Sequence, residues 1–320
     1  MKTRKLGFAG INITKVGLGT WAIGGGGWKF AWGPQDDKKS IDTILRALEL
    51  GINWIDTASA YGLGHSEEIV GKALEGFKEL PFIATKCGRR WDRNGNMYAR
   101  LKRDSIRKEV DDSLKRLKVD VIDLYQIHWP EPDEDIEEAW ETITDFIEDG
   151  LIHYSGVSNF SVEQIKRIMN IHPVASLQPP YSILKRDIED EILPFCKKHN
   201  IGVIVYSPMH KGLLTGKFTK DRVKGLPKDD HRRKDSEFLE PKISSNLKLT
   251  RNLEPIAERN NITLAQLAIA WTLRREEVTA AIVGARDPSQ IEETVLASDL
   301  ELKYEDIKEI EKILKEIEKR

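Results

Sequence analysis

Eight short apolar runs, each followed by a stretch of helical periodicity, constrain this chain more than any other feature. The runs are Val16 to Thr20, Asn53 to Thr57, Phe82 to Lys86, Val121 to His128, Ile152 to Ser158, Ala175 to Gln178, Gly202 to Tyr206 and Ala280 to Val283. Their length and content suit strands buried in a parallel sheet. Between them the period changes: in Asp104 to Lys118, Ile106, Val110, Leu114 and Leu117 recur at helical spacing. Ser161-Val-Glu-Gln164 has the form of a capping box directly after a strand. No break in composition separates the units, so the alternation predicts one α/β domain over residues 1–320. Setting aside about 15 residues at the front and about 20 at the back leaves about 36 per unit, the size of a β-loop-α-loop repeat. The expected fold is a closed TIM (β/α)8 barrel.

Three segments lie outside the repeat. Arg4 to Gly10 followed by Ile11 to Thr14 predicts a β-hairpin that turns at Ala9-Gly10 and plugs the bottom of the barrel. Lys217 to Ile243 is dense in Lys, Arg and Asp, shows no period and carries Gly225 and Pro227, so it is expected to run over the surface. Lys303 to Arg320 places Ile307, Ile310, Leu314 and Ile317 on one face of an extra C-terminal helix.

Composition excludes several classes. With 40% apolar and 32% charged residues, the chain has enough hydrophobic content to form a core and is not expected to be disordered. Lys+Arg at 50 against Asp+Glu at 52 leaves no net field to draw it to nucleic acid or to an anionic membrane. Cys87 and Cys196 cannot build a disulfide scaffold, and no CxxC or HxxxH spacing offers a metal site. No apolar run approaches the roughly 18 residues a membrane helix needs. A cytoplasmic protein acting on small molecules is the expectation.

In such barrels the reactive side chains sit where strands end and loops begin. Strand 2 ends at Asp56, with Tyr61 in its loop; strand 3 ends at Lys86; strand 4 ends at His128. Singly, each has a plainer role: Asp56 as a cap, Lys86 reaching to solvent, Tyr61 as a loop aromatic, His128 as a core histidine. Jointly they suggest chemistry, because a buried lysine needs an anion and Asp56 stands on the adjoining strand. An ammonium beside Tyr61 is expected to lower the phenol from about 10 towards neutrality. The phenol then donates a proton to a developing alkoxide while His128 hydrogen-bonds the same oxygen. An alkoxide forms from a carbonyl only when a hydride arrives, and side chains carry none, so a nicotinamide cofactor is required.

No Rossmann fingerprint is present: Gly17-Leu-Gly19 and Gly24 to Gly27 do not complete GxGxxG, and the glycine run is expected to be a flexible loop. Better anion sites follow strands 7 and 8. Ser207 to Lys217 offers backbone N–H groups, hydroxyls and two lysines, and Gly284 to Gln290 sets Arg286 at the start of a helix.

These residues resemble the aldo-keto reductase family over nearly the whole chain. Gly51 to Glu68 is similar to the family signature around its Asp and Tyr, Ile83 to Lys86 to the segment bearing the Lys, and Asp123 to His128 to the one bearing the His. The resemblance implies a catalytic tetrad of Asp56, Tyr61, Lys86 and His128, with NADPH (NADP+) as cofactor. It implies that Gly19, Thr20, Trp21 and Asp56 border the cofactor, that Ser158, Asn159 and Gln178 hold the nicotinamide carboxamide, and that Tyr206 stacks on the ring. Ser207, Met209, Lys211, Gly212, Leu213, Gly216 and Lys217 would close over the pyrophosphate. Gly284, Arg286, Gln290 and Glu293 would face the adenosine end, with Arg286 recognising the 2′-phosphate.

The chain departs from the family at Val283, where Pro is common, at Thr294, where Asn is common, and at Met209-His-Lys211. Within the family it most resembles the bacterial general-stress and inositol-operon branch, on Tyr125-Gln-Ile-His-Trp-Pro130 and the long loop after strand 7. Trp21, Trp28, Trp91 and Trp129 are candidates to wall an apolar substrate pocket for a carbonyl or alcohol. A second implication of the resemblance is an NADPH-binding regulatory subunit like the potassium-channel beta subunits, whose turnover is slow.

Overall fold

The computed structural model describes residues 1–318. The chain opens with β1 (Thr3–Lys5) and β2 (Asn12–Thr14), an antiparallel pair. The turn between them is longer than expected: a 3-10 turn over Gly7–Ala9 ends at Gly10, whose φ of 69° a side chain would disfavour. This lets Leu6 reach inward, where it is fully buried against Trp54, Leu124 and Ile204. The hairpin therefore does seal the bottom, and Arg4 fastens it by donating to the carbonyls of Leu273, Arg275 and Val278.

Eight parallel strands then close a barrel in chain order. They are β3 (Val16–Gly19), β4 (Trp54–Asp56), β5 (Phe82–Cys87), β8 (Ile122–Ile127), β9 (Ile152–Ser158), β10 (Ser176–Gln178), β11 (Gly202–Tyr206) and β12 (Ala280–Gly284). Between β5 and β8 a hairpin of β6 (Arg89–Trp91) and β7 (Met97–Ala99) stands apart from the barrel. All eight expected runs are barrel strands, and β12 returns to β3 with Gly284 opposite Gly19.

The barrel is filled, not hollow. Trp54 is fully buried inside it, donating Nε1–H to Thr14 O at 2.9 Å, and a Cβ at Gly17 would lie 2.0 Å from the Trp54 ring. Helices α1 (Asp37–Glu49), α2 (His65–Ala73), α3 (Arg103–Leu117), α4 (Ile136–Glu148), α5 (Val162–Met169) and α6 (Ile192–Lys198) ring the outside. They are followed by a short α7 (Lys220–Lys224), then α8 (Lys242–Arg259), α9 (Leu264–Thr272) and α10 (Pro288–Val295). Their starts follow the sequence: Ser161 and Gln164 form the expected capping box of α5, and Asp287 caps α10 ahead of Pro288. α11 (Tyr304–Glu318) buries Ile310 and Leu314 against the barrel's outer layer; residues 319–320 of the expected helix lie outside the described residues.

The segment from 217 to 243 is not a plain surface excursion. Together with Leu213 it forms a small core of Phe218, Val223, Phe238 and Ile243, and it folds back over the loop after β3. Asp229 Oδ2 accepts from Gly27 N–H at 2.9 Å, and His231 N–H donates to Ala31 O at 2.8 Å. Its apolar residues are too widely spaced to show a period, yet tertiary contact gathers them. Both cysteines are buried and free. Among the described residues no helix is long and apolar enough to cross a membrane, and no group of three His, Cys, Asp or Glu is placed to hold a metal.

Candidate active site

The C-terminal ends of β4, β5 and β8 bring Asp56, Lys86 and His128 to one rim, and the loop after β4 adds Tyr61. Lys86 is fully buried and donates from Nζ to Asp56 Oδ1 at 2.7 Å, to Thr57 O at 2.7 Å and to Tyr61 Oη at 3.4 Å. The rings of Tyr61 and His128 meet edge to face at 5.7 Å. His128 is held through its backbone, its N–H on Cys87 O and its C=O accepting from Asn159 Nδ2, while its Nδ1 is buried without a partner. The four residues expected to act together do meet.

The electrostatics differ from expectation. Tyr61 is pushed well above the ordinary phenol range, first by burial, then by the charge of Asp56. The ammonium does not make it acidic, because Lys86 is paired with Asp56 and the phenol faces an ion pair with little net charge. Lys86 itself is lowered by burial, with Asp56 opposing, and His128 falls well below the usual imidazole range through burial and the charge of Lys86. At neutral pH the site therefore holds a protonated phenol beside a neutral imidazole.

The glycine run after β3, expected to be a flexible loop, is packed at its start, while Gly25 and Gly27 face open space. A Cβ at Gly24 would lie 2.6 Å from Gly62 N, and one at Gly62 would lie 2.2 Å from Gly24 O. These two bare backbones press together and fix the turn that carries Tyr61. Trp21 stacks on Tyr61 at 6.2 Å and Trp28 lies at 6.5 Å. Trp129 is exposed, with Arg89 over its ring at 5.8 Å. Trp91, in β6, stacks on no other ring among the described residues.

Around the same rim, Gln178 Nε2 donates to Asp56 Oδ2 at 2.8 Å, so both oxygens of Asp56 are engaged. Ser158 Oγ donates to Gln178 O, and Asn159 accepts from Tyr206 Oη at 2.9 Å. Thr20 donates its N–H to Asp56 O. Gly284 leaves the rim bare, a Cβ there meeting nothing nearer than 3.8 Å, whereas a Cβ on Gly19 would lie 2.5 Å from Ile282 Cγ2. The next loop turns tightly through Ser207, His210, Lys211, Gly212 and Gly216, all at positive φ, with Met209 on the outer core and Leu213 buried in the loop's own core. Lys211 pairs with Asp235 and Lys217 with Glu293. Arg286 donates to Gln35 Oε1, Trp32 O and Pro34 O, and Gln290 accepts from its backbone N–H. The bare backbone at Gly284, the amide side chains of Asn159 and Gln178 and the bordering cations Lys211, Lys217 and Arg286 fit an extended dinucleotide with an amide at one end.

Sequence reasoning missed several residues here. Gln126 lies two before His128 on β8, on the same inward face, and strand alternation alone marks it. Trp32, Asp229, His231 and Arg232 build the roof. His231 stacks on Trp21 at 4.9 Å and Arg232 lies over Trp32 at 4.4 Å. No local pattern pointed to them.

A family model described as aldo/keto reductase matches residues 15–315. The aldo-keto reductase YhdN of Bacillus subtilis is 40% identical over 98% of this chain and 94% of its own length. A protein of Escherichia coli named NADH-specific methylglyoxal reductase is 37% identical over 94% of this chain and 95% of its own. Among solved structures, the glycerol dehydrogenase AKR11B4 of Gluconobacter oxydans superposes with a TM-score of 0.88 at 40% identity, covering 98% of this chain and 95% of that one.

Proposed function

From the premise that this chain belongs to the aldo/keto reductase family and is an oxidoreductase of carbonyl and alcohol groups, we propose a specific assignment of roles and cofactor. In this reading the whole chain is one cytoplasmic catalytic unit that reduces small aldehydes or ketones, with NADPH preferred over NADH. A reduced nicotinamide, when bound, supplies the hydride that no side chain carries. Tyr61 gives its phenolic proton to the substrate oxygen, Lys86 holds the phenol through its 3.4 Å contact, and Asp56 holds Lys86. His128, neutral, donates a hydrogen bond that orients the same oxygen. Ser158, Asn159, Gln178 and Tyr206 seat the nicotinamide end, and the loop from Ser207 to Lys217 covers the phosphates.

The observation that carries this reading is the unbroken contact from Asp56 through Lys86 to Tyr61 on one rim. Arg286 supports the NADPH preference, since its side-chain hydrogen-bond partners among the described residues are neutral oxygens. Trp21 and Trp28 wall the substrate side. Two relatives are named for three-carbon oxygenated compounds, so a screen begins with methylglyoxal and glycerol and extends to aromatic aldehydes.

The test follows NADPH and NADH oxidation across that screen. Tyr61→Phe is expected to abolish turnover while leaving NADPH binding intact, and Arg286→Ala to weaken NADPH more than NADH. Turnover by Tyr61→Phe at the unaltered rate would refute the assignment of the proton donor. Unchanged cofactor discrimination in Arg286→Ala would refute the NADPH preference.

A further inference from the structure

A neutral amide, Gln126, sits inside the barrel two residues before His128, fully buried and opposite Lys86 in the strand register. An interior position of this kind normally takes an aliphatic side chain. The neighbouring strand makes room for it: a Cβ on Gly156 would lie 3.2 Å from Gln126 Cγ and 2.4 Å from Ser176 Oγ.

The hydrogen bonds fix which way each amide faces. Asp56 is an acceptor only, so the Gln178 atom 2.8 Å from Asp56 Oδ2 must be the NH2 group. That same Nε2 lies 3.3 Å from Gln126, which must therefore present its oxygen, leaving Gln126 Nε2 buried and unpartnered. Two acceptors thus share the Gln178 NH2 group, and its Oε1 faces away from them. Among the groups assigned to the carboxamide seat, Asn159 uses its amide on His128 O, Ser158 Oγ and Tyr206 Oη, and Ser158 donates to Gln178 O. Gln178 Oε1 accepts from no group among the described residues, which makes it the free acceptor there.

We propose that Gln126 is a positioning residue: it locks the Gln178 amide with Oε1 outward, and so sets the orientation in which a nicotinamide carboxamide is received. The unpaired Nε2 is the cost of that lock, tolerated because Asp56 alone leaves the Gln178 amide free to rock about one contact. The proposal rests on the cofactor reading above.

The test uses NADPH itself. Gln126→Leu keeps the volume and removes the acceptor; it is expected to weaken NADPH about tenfold in fluorescence titration, the worth of one hydrogen bond to a buried group. It should also erode the facial selectivity of hydride transfer from stereospecifically deuterated NADPH, which a merely structural role would leave intact. Gln126→Glu, whose buried carboxyl retains an accepting oxygen, is expected to restore both. Because Gln126 acts through Gln178, Gln126→Leu should add nothing in a Gln178→Leu background. If Gln126→Leu is poorly folded by circular dichroism, the comparison of Gln126→Met with Gln126→Glu replaces it. Unaltered affinity and selectivity in the acceptor-less variants, or additive losses in the double variant, would overturn the positioning role. Failure of the unaltered protein to bind any nicotinamide nucleotide would instead overturn the cofactor reading beneath it.

Discussion

At Tyr61 two effects compete: an ammonium within 3.4 Å favours the phenolate, and burial beside Asp56 disfavours it. Burial wins because Asp56 neutralises the lysine first, so the phenol remains a reservoir of one proton. A phenol pushed upward keeps its proton to higher pH. With Tyr61 as the proposed proton donor, carbonyl reduction is expected to stay level across neutrality and decline only above about pH 10, the ordinary phenol value. Alcohol oxidation, which needs the phenolate, should rise with pH through the same range. His128, held low, adds no limb near neutrality. Rate profiles in both directions check this; a loss of reduction between about pH 7 and 8 would show an acidified phenol after all. The identities of the four rim residues were legible from strand ends and a family resemblance. Their proton affinities were not, since these depend on who is buried beside whom.

Among the elements, α3 carries a strained group. Glu109 is buried at the junction of β5 and the β6–β7 hairpin, accepting from Gly88 N–H at 3.0 Å and Ser105 Oγ at 3.2 Å. Burial pushes it up to about 7, with the charge of Arg90 opposing. A carboxyl raised on folding binds its proton more tightly in the native state, so stability is fully present below the unfolded value near 4.5 and falls as pH rises to about 7. The loss amounts to roughly 3 kcal/mol. Glu109→Gln should remove it, gaining on the unaltered protein between pH 5 and pH 8 in urea unfolding. Parallel pH dependences for the two proteins would contradict the assignment. The helix was legible from its period and its boundary was right within a residue, but nothing in that period marked Glu109 as buried beneath the hairpin. The roof from Pro227 to Phe238 was misread for a related reason: short 3-10 turns carry no period, and their partners on the loop after β3 lie about two hundred positions away.

For the whole molecule, the two ends of the barrel divide stability from chemistry. Leu6 fills the bottom among Trp54, Leu124 and Ile204, so Leu6→Ala is expected to cost about 2–5 kcal/mol in denaturant unfolding while leaving kcat and KM unchanged at low temperature. A fall in kcat with full stability would mean that the hairpin is coupled to the rim. The amino-acid sequence by itself determined the eight strand–helix units, the caps, the terminal plug and the four residues that meet on the rim. Each of these is written in spacing a few residues long, through pleat, helical pitch or a local hydrogen bond. Only the tertiary structure decided that the loop after β11 roofs the site, that glycines at 24 and 62 press together, that Gln126 meets Gln178, and that burial pushes the phenol upward. Those outcomes depend on burial and on contacts between distant segments, which exist only once the barrel has closed.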